Sequence, residues 1–215
     1  MKTNVFLMLG IMCISNAAFC ATSTTPNQRN LKAAMTRHLA KEGDLCVGKF
    51  NWPIDVNAHD VELGSRDAIQ LPVMEKLGLV SSANAFATIK VDETETTVPV
   101  TRYSLTDTGK KYYVNRDMES LAPDGKKIVR QGDFCAARLS LNKIVKWDQP
   151  KTVAGTQETT VTYTYKIAAA DWVNDPEMQK VFPMIDRVVK GEGSMQLKQR
   201  VRLTKAGWVA VSLWD

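Results

Sequence analysis

Apolar positions along the chain follow two spacings, and their succession predicts an α+β protein. Leu31, Ala34, Met35, His38 and Leu39 recur at helical spacing, forming one stripe of a helix capped near Asn30 and stopped by Gly43. A short strand over 45–50 carries Cys46 and is broken by Trp52-Pro53. From Ser65 a second helix turns Ile69, Val73, Met74 and Leu77 inward, with Pro72 opening or kinking its second half. Gly78 ends that helix, and Leu79-Val80 fold back as the hydrophobic contact after a glycine cap. Alternation over 86–91 and 98–105 around the acidic turn Asp92-Glu93-Thr94-Glu95 predicts a hairpin. Thr106 then caps a helical turn running through Gly109 to Tyr113.

Residues 115–127 have no hydrophobic period and end beside Pro-Asp-Gly, a turn signal, so they read as a linker between halves. A long strand over 133–147 carries Cys135 and ends at Pro150. In 159–167 the alternation is strict, with Val161, Tyr163, Tyr165 and Ile167 on one face and threonines on the other. Asp175 and Pro176 are a cap and first-turn pair for a helix with Val181, Met184, Ile185 and Val188 as its stripe and Pro183 as a kink. Gly191 and Gly193 end it. Strands over 195–203 and 208–214 close the chain around Gly207. Tightly connected strands favour an antiparallel sheet with a packed helix.

The first twenty residues change the picture of where this fold forms. Lys2 supplies a positive start, residues 5–14 an apolar run of ten, and Ser15, Ala17, Ala18 and Cys20 small residues for cleavage before Ala21 or Ala18. The run is shorter than the roughly 20 apolar residues of a membrane-spanning helix. Residues 1–20 therefore read as a signal peptide and 21–30 as a flexible mature N-terminus, with export to the periplasm or outside and no transmembrane span after cleavage. Lipid anchoring at Cys20 is disfavoured, because Phe19 stands where a lipobox has a small residue.

Export removes Cys13 and Cys20 from the mature chain and leaves Cys46 and Cys135, the pair expected to form one disulfide. Without Lys2 the charge balance is 27 basic against 23 acidic residues, mildly basic and mixed along the chain. Such a balance permits acidic partners without singling one out. Lys198, Arg200 and Arg202 alternate against Leu197, Val201 and Leu203, which puts a basic row on one side of a strand. That row is the candidate interaction face, joined by Lys143 and Lys146 if their strand lies alongside. Trp147, Trp172, Trp208 and Trp214 are expected mainly in the core.

Residues 65–113 resemble a winged-helix domain. The resemblance rests on the helix end Met74-Glu75-Lys76-Leu77-Gly78-Leu79-Val80, the two-stranded wing, and Tyr103-Ser104-Leu105-Thr106-Asp107-Thr108-Gly109-Lys110. It implies a helix aimed at a DNA groove. The exposed candidates Arg66, Asp67, Gln70, Glu75 and Lys76 balance two bases with two acids, and the wing adds Asp92, Glu93 and Glu95. Phosphate would be repelled, so nucleic acid is excluded as the expected partner and the unit reads as scaffold. The expected organisation is a winged-helix-like half over 31–114, the linker over 115–127, and an antiparallel sheet with one helix over 128–215.

Two short echoes link the halves: Gly43-Asp44-Leu45-Cys46 with Gly132-Asp133-Phe134-Cys135, and Arg102 to Gly109 with Arg200 to Gly207. Their intervening elements differ, so recurring turn chemistry accounts for them better than duplication.

No Gly-x-Ser-x-Gly elbow, phosphate-cradling loop or EF-hand pattern is present. His38 sits in a helical stripe, and His59 has only Asp55 and Asp60 close by, without defined ligand spacing. No metal site, cofactor or catalytic set is assigned. The expected function is an exported non-enzymatic binding or interaction module for an acidic protein or envelope component. The alternative is an exported hydrolase with a site built from dispersed carboxylates.

Overall fold

The computed structural model describes residues 24–91, 94–122 and 124–211. The expected signal peptide and Trp214 lie outside them. The fold is α+β with two antiparallel sheets.

Helix α1 (Gln28–Glu42) is capped by Asn27, three residues before the expected cap. Asn27 accepts the N–H groups of Arg29 and Asn30, while the Asn30 side chain accepts the Asn27 N–H. This reciprocal box satisfies orphan donors at both positions, so Asn30 is the partner at the third helical position rather than the cap. Leu31, Ala34, Met35 and Leu39 are buried, as their spacing predicts.

The large sheet has strand order β1 (Asp44–Cys46), β6 (Lys127–Trp147), β8 (Thr156–Ala169), β9 (Leu197–Thr204) and β10 (Gly207–Ala210). β5 (Tyr113–Leu121) pairs with the first part of β6, and β7 (Lys151–Val153) with the start of β8. The stretch with no hydrophobic period is thus largely strand. A two-stranded ribbon can be exposed on both faces, and exposed strands carry no alternation to detect. At its base Gly132 has φ +73, and a Cβ there would lie 2.5 Å from the Tyr113 ring. Only glycine allows β5 to approach so closely.

α1 packs on this sheet. Its buried stripe meets Ile144, Val161, Tyr163, Tyr165, Val201 and Trp208 in one core. The helix therefore lies against strands of the second half, and not against the helix and hairpin of 65–113.

The smaller sheet has order β2 (Ile54–Asn57), β4 (Thr94–Leu105), β3 (Val80–Val91). Its hairpin is longer than the alternation suggests, with every residue from Val80 to Val91 opposite one from Leu105 to Thr94. A short helix α2 (Ala58–Glu62) precedes α3 (Arg66–Lys76), which Ser65 caps. The end of α3 matches its prediction. Leu79 N–H reaches the Met74 carbonyl and Gly78 N–H the Glu75 carbonyl, with Gly78 at φ +69. Its buried face, however, is Gln70, Leu71 and Met74, while Ile69 is half exposed. The Gln70 amide donates to the Val181 carbonyl across the packed surface, while Val73 and Leu77, as expected, pack partly buried against the core.

α4 (Asp107–Lys110) follows the Thr106 cap as expected. After a 3-10 turn (Asp171–Asn174), α5 (Pro176–Val181) begins at the Asp175 cap, and α6 (Pro183–Lys190) is a separate helix. Pro183 breaks the expected single helix, so Met184 faces solvent and Phe182 is buried. Phe182 joins Trp52, Tyr112, Phe134 and Trp172 in a second core, with successive ring centroids 5.6–6.5 Å apart. Cys46 and Cys135 stand opposite each other on β1 and β6 and form a disulfide.

Candidate functional site

β8 divides the large sheet into two chemistries. Val161, Tyr163 and Tyr165 point under α1, while Thr160, Thr162 and Thr164 point to the other face. Residues directly opposite in an antiparallel pair share a face, so the register identifies what surrounds these threonines. Lys143 and Lys146 of β6 stand opposite Thr164 and Thr162. On the other side, Lys198, Arg200 and Arg202 of β9 stand opposite Thr162, Thr160 and Glu158. Lys151 of β7 also faces Glu158, and Lys166 lies farther along β8 itself.

Two cation rows therefore flank the threonine column, two strand spacings apart, about 9.5 Å. Thr162 and Thr164 are only 4% and 3% exposed, whereas Lys143, Lys146, Lys198 and Arg200 are exposed. Such an arrangement lets long aliphatic stems cover the hydroxyls while the charged heads reach water. Asn142 adds a hydrogen bond to the Thr164 hydroxyl at 3.1 Å.

Seven cations share this face, with few acids among them. Glu158 is buried and accepts from Arg202 Nε at 2.7 Å, with Arg200 Nε at 3.5 Å. Asp148 lies just past the end of β6 and donates its N–H to the Thr160 carbonyl. Of the three β9 residues predicted as a basic row, Arg202 is thus committed to an internal ion pair. Lys198 and Arg200 carry the outward charge.

Lys143 and Lys146 reach the same face through an irregularity that spacing alone hides. Three residues apart, they would point to opposite faces of a regular strand. The register shifts between Leu141 and Lys143 and again between Ile144 and Lys146. Each inserts an extra residue, and together they keep Leu141 and Ile144 inward and both lysines outward.

The other sequence candidates disperse. Asp55 is engaged by Arg102 through two 2.7 Å hydrogen bonds, which hold its carboxyl below the usual carboxylate range. Asn57 caps α2, with Asp60 accepting the Asn57 N–H in return, and His59 is exposed beside Glu62. Burial lowers the His38 imidazole pKa on α1. Trp172 and Trp208 are core residues, and Trp147 packs against the core under α1. A concavity of about 310 Å³ between α1 and β6 is lined by Thr36, Leu39, Ala40, Arg138 and Leu141 among others, with no carboxylate.

Sequence reading missed a buried charged group near the disulfide. Lys49 is 1% exposed and pairs with Asp67, while Asp133 accepts the N–H groups of Gly48 and Lys49. Burial lowers the Lys49 pKa and raises that of Asp133. These contacts tie the chain after β1 to α3 and β6, so the group positions the scaffold. Its trace in the sequence is the Gly-Asp-Phe-Cys echo, which puts Asp133 beside a half-cystine. The second echo serves two different turns, since Thr106 caps a helix while the Thr204 hydroxyl bridges the β9–β10 turn.

Among the described residues no helix is long and apolar enough to cross a membrane. No protein-family model matches this chain, and no curated protein or solved structure shows significant similarity to it.

Proposed function

We propose that this chain is an exported, non-enzymatic binding module whose basic face, centred on the β8 threonines, docks an acidic protein or envelope component. One observation carries the reading. Lys143, Lys146, Lys198 and Arg200 converge from two strands onto one exposed sheet face, and the acid nearest them, Glu158, is buried and paired with Arg202 and Arg200. A patterned field of one sign raises association rates and selects partners of the opposite sign. The helix and hairpin of 65–105 act here as winged-helix-like scaffold, without a nucleic-acid role. The Cys46–Cys135 disulfide suits an oxidising compartment and so supports export.

Poly-L-glutamate serves as an acidic-polypeptide probe, titrated against the purified protein at several salt concentrations. Wild type should bind with an affinity that falls as salt rises. The triple charge reversal Lys143→Glu, Lys146→Glu, Lys198→Glu should abolish binding while leaving the urea midpoint near that of wild type. Equal binding by the triple variant would refute the assignment of this face. The N-terminal mass of the exported chain tests the address, with a start at Ala21 or Ala18 expected.

A further inference from the structure

The threonines of β8 are not equivalent. The Thr164 hydroxyl accepts from the Asn142 amide at 3.1 Å, and the Thr159 hydroxyl donates to the Asp148 carbonyl at 2.6 Å. Thr162 is 4% exposed, yet among the described residues its hydroxyl has no hydrogen-bonding partner. Leaving a buried hydroxyl unpaired is costly, so this one takes its partner from outside the protein.

The register supplies its surroundings. Lys146 of β6 and Lys198 of β9 stand directly opposite Thr162 on its two sides. Both lysines are exposed, and neither forms an ion pair among the described residues. Their strands lie about 9.5 Å apart across β8, so each ammonium can bend back over the central hydroxyl. One step along the column, Asp148 and Arg200 flank Thr160 and offset each other, with Arg200 also 3.5 Å from Glu158. The uncompensated positive charge is therefore concentrated at Thr162.

Two ammonium groups and one hydroxyl donor define what fits between them. Lysine is a point charge with rotatable donors, and lacks the planar fork by which arginine selects a carboxylate. A carboxylate has a single charge and would leave one ammonium uncompensated. A phosphate monoester carries about two charges and three free oxygens. That is one oxygen for each ammonium and one for the hydroxyl, with the charges balanced. Resting on the basic-face reading above, we infer that Lys146, Thr162 and Lys198 hold a phosphate monoester group. Its source is either a soluble phosphate or a lipid headgroup of the envelope, and the two bind through the same three donors.

Nuclear magnetic resonance of the purified protein, titrated with inorganic phosphate at constant ionic strength, is the test, with acetate as the carboxylate control. Phosphate should give saturable shifts centred on Lys146, Thr162 and Lys198, and acetate should bind about tenfold more weakly. Thr162→Val removes the hydroxyl, and Lys146→Gln and Lys198→Gln each remove one charge from the surface. Each should weaken phosphate binding about threefold or more, whereas Asp148→Asn should strengthen it. Should Thr162→Val alter the fold, the two exposed lysine variants still decide. Phosphate binding no tighter than acetate, or binding that none of the three variants weakens, overturns the inference. Poly-L-glutamate binding to the wild-type protein decides the basic face independently, so the two readings fail separately. Flotation with phosphatidylcholine vesicles, with and without phosphatidic acid, distinguishes the sources. Binding that requires phosphatidic acid and is competed by inorganic phosphate assigns a lipid headgroup. Phosphate binding without vesicle binding assigns a soluble phosphate.

Discussion

Glu158→Gln separates the stability of the basic face from its binding role, because the two should move in opposite directions. Glu158 is 5% exposed, bonded to Arg202 at 2.7 Å and close to Arg200 at 3.5 Å, with Lys151 opposite. Breaking a fully buried ion pair from one side costs about 3–5 kcal/mol, while exposed pairs contribute about 0.2–1 kcal/mol. The anion here is buried, but the arginine side chains are 34% and 52% exposed, so solvent screens much of the interaction. Glutamine keeps the volume and one acceptor for Arg202. The expected loss is therefore about 1–2 kcal/mol, between those limits, or about 2–8 °C in midpoint for a chain of this size. Part of that loss is repulsion among the remaining cations. It should shrink between 0.1 M and 1 M salt, as the screening length falls from about 10 Å to about 3 Å. Urea melts followed by far-ultraviolet circular dichroism at both salts measure the stability. Titration with poly-L-glutamate at low salt should show tighter binding than wild type, since the face has lost an acid. Unchanged stability, a salt-independent loss, or weaker binding would refute the reasoning.

Two further expectations concern the scaffold. Replacing both Cys46 and Cys135 with serine opens a cross-link across a sequence separation of 89 residues, and the chain-entropy account sets the loss at about 4–5 kcal/mol. Urea midpoints measure it, and a loss under about 1 kcal/mol would contradict that account. The Asp55 carboxyl is held low by hydrogen bonds from Arg102, so its folded pKa lies below its unfolded value. Its contribution is present above the ordinary carboxylate pKa of about 3.9 and is lost as pH falls through the folded value. Asp55→Asn should flatten the acid limb of a stability–pH profile below pH about 4, and an unchanged limb would show that the pair contributes nothing.

Features legible in the sequence depend on neighbours within a few residues. The α1 stripe, the Gly78 cap with Leu79 folding back, the Thr106 and Asp175 caps, and the two-faced β8 strand all emerged as their local chemistry predicts. So did the Cys46–Cys135 pair, because few cysteines remain once residues 1–20 are read as a leader. The alternation of Lys198, Arg200 and Arg202 was also visible as half of a basic face.

Tertiary structure decided which surfaces these elements share. α1 lies on strands more than a hundred residues later, since its stripe needs the apolar face of β8 and β9. α3 buries Gln70 because the carbonyl of Val181, the last residue of α5, accepts its amide, a partner that no helical period reveals. Lys143 and Lys146 join the β9 row only because two register shifts reset the pleat. The physical reason is common to all three. Propensity and capping act along the backbone, whereas faces and registers follow from long-range pairing, where one inserted residue turns a side chain from core to solvent.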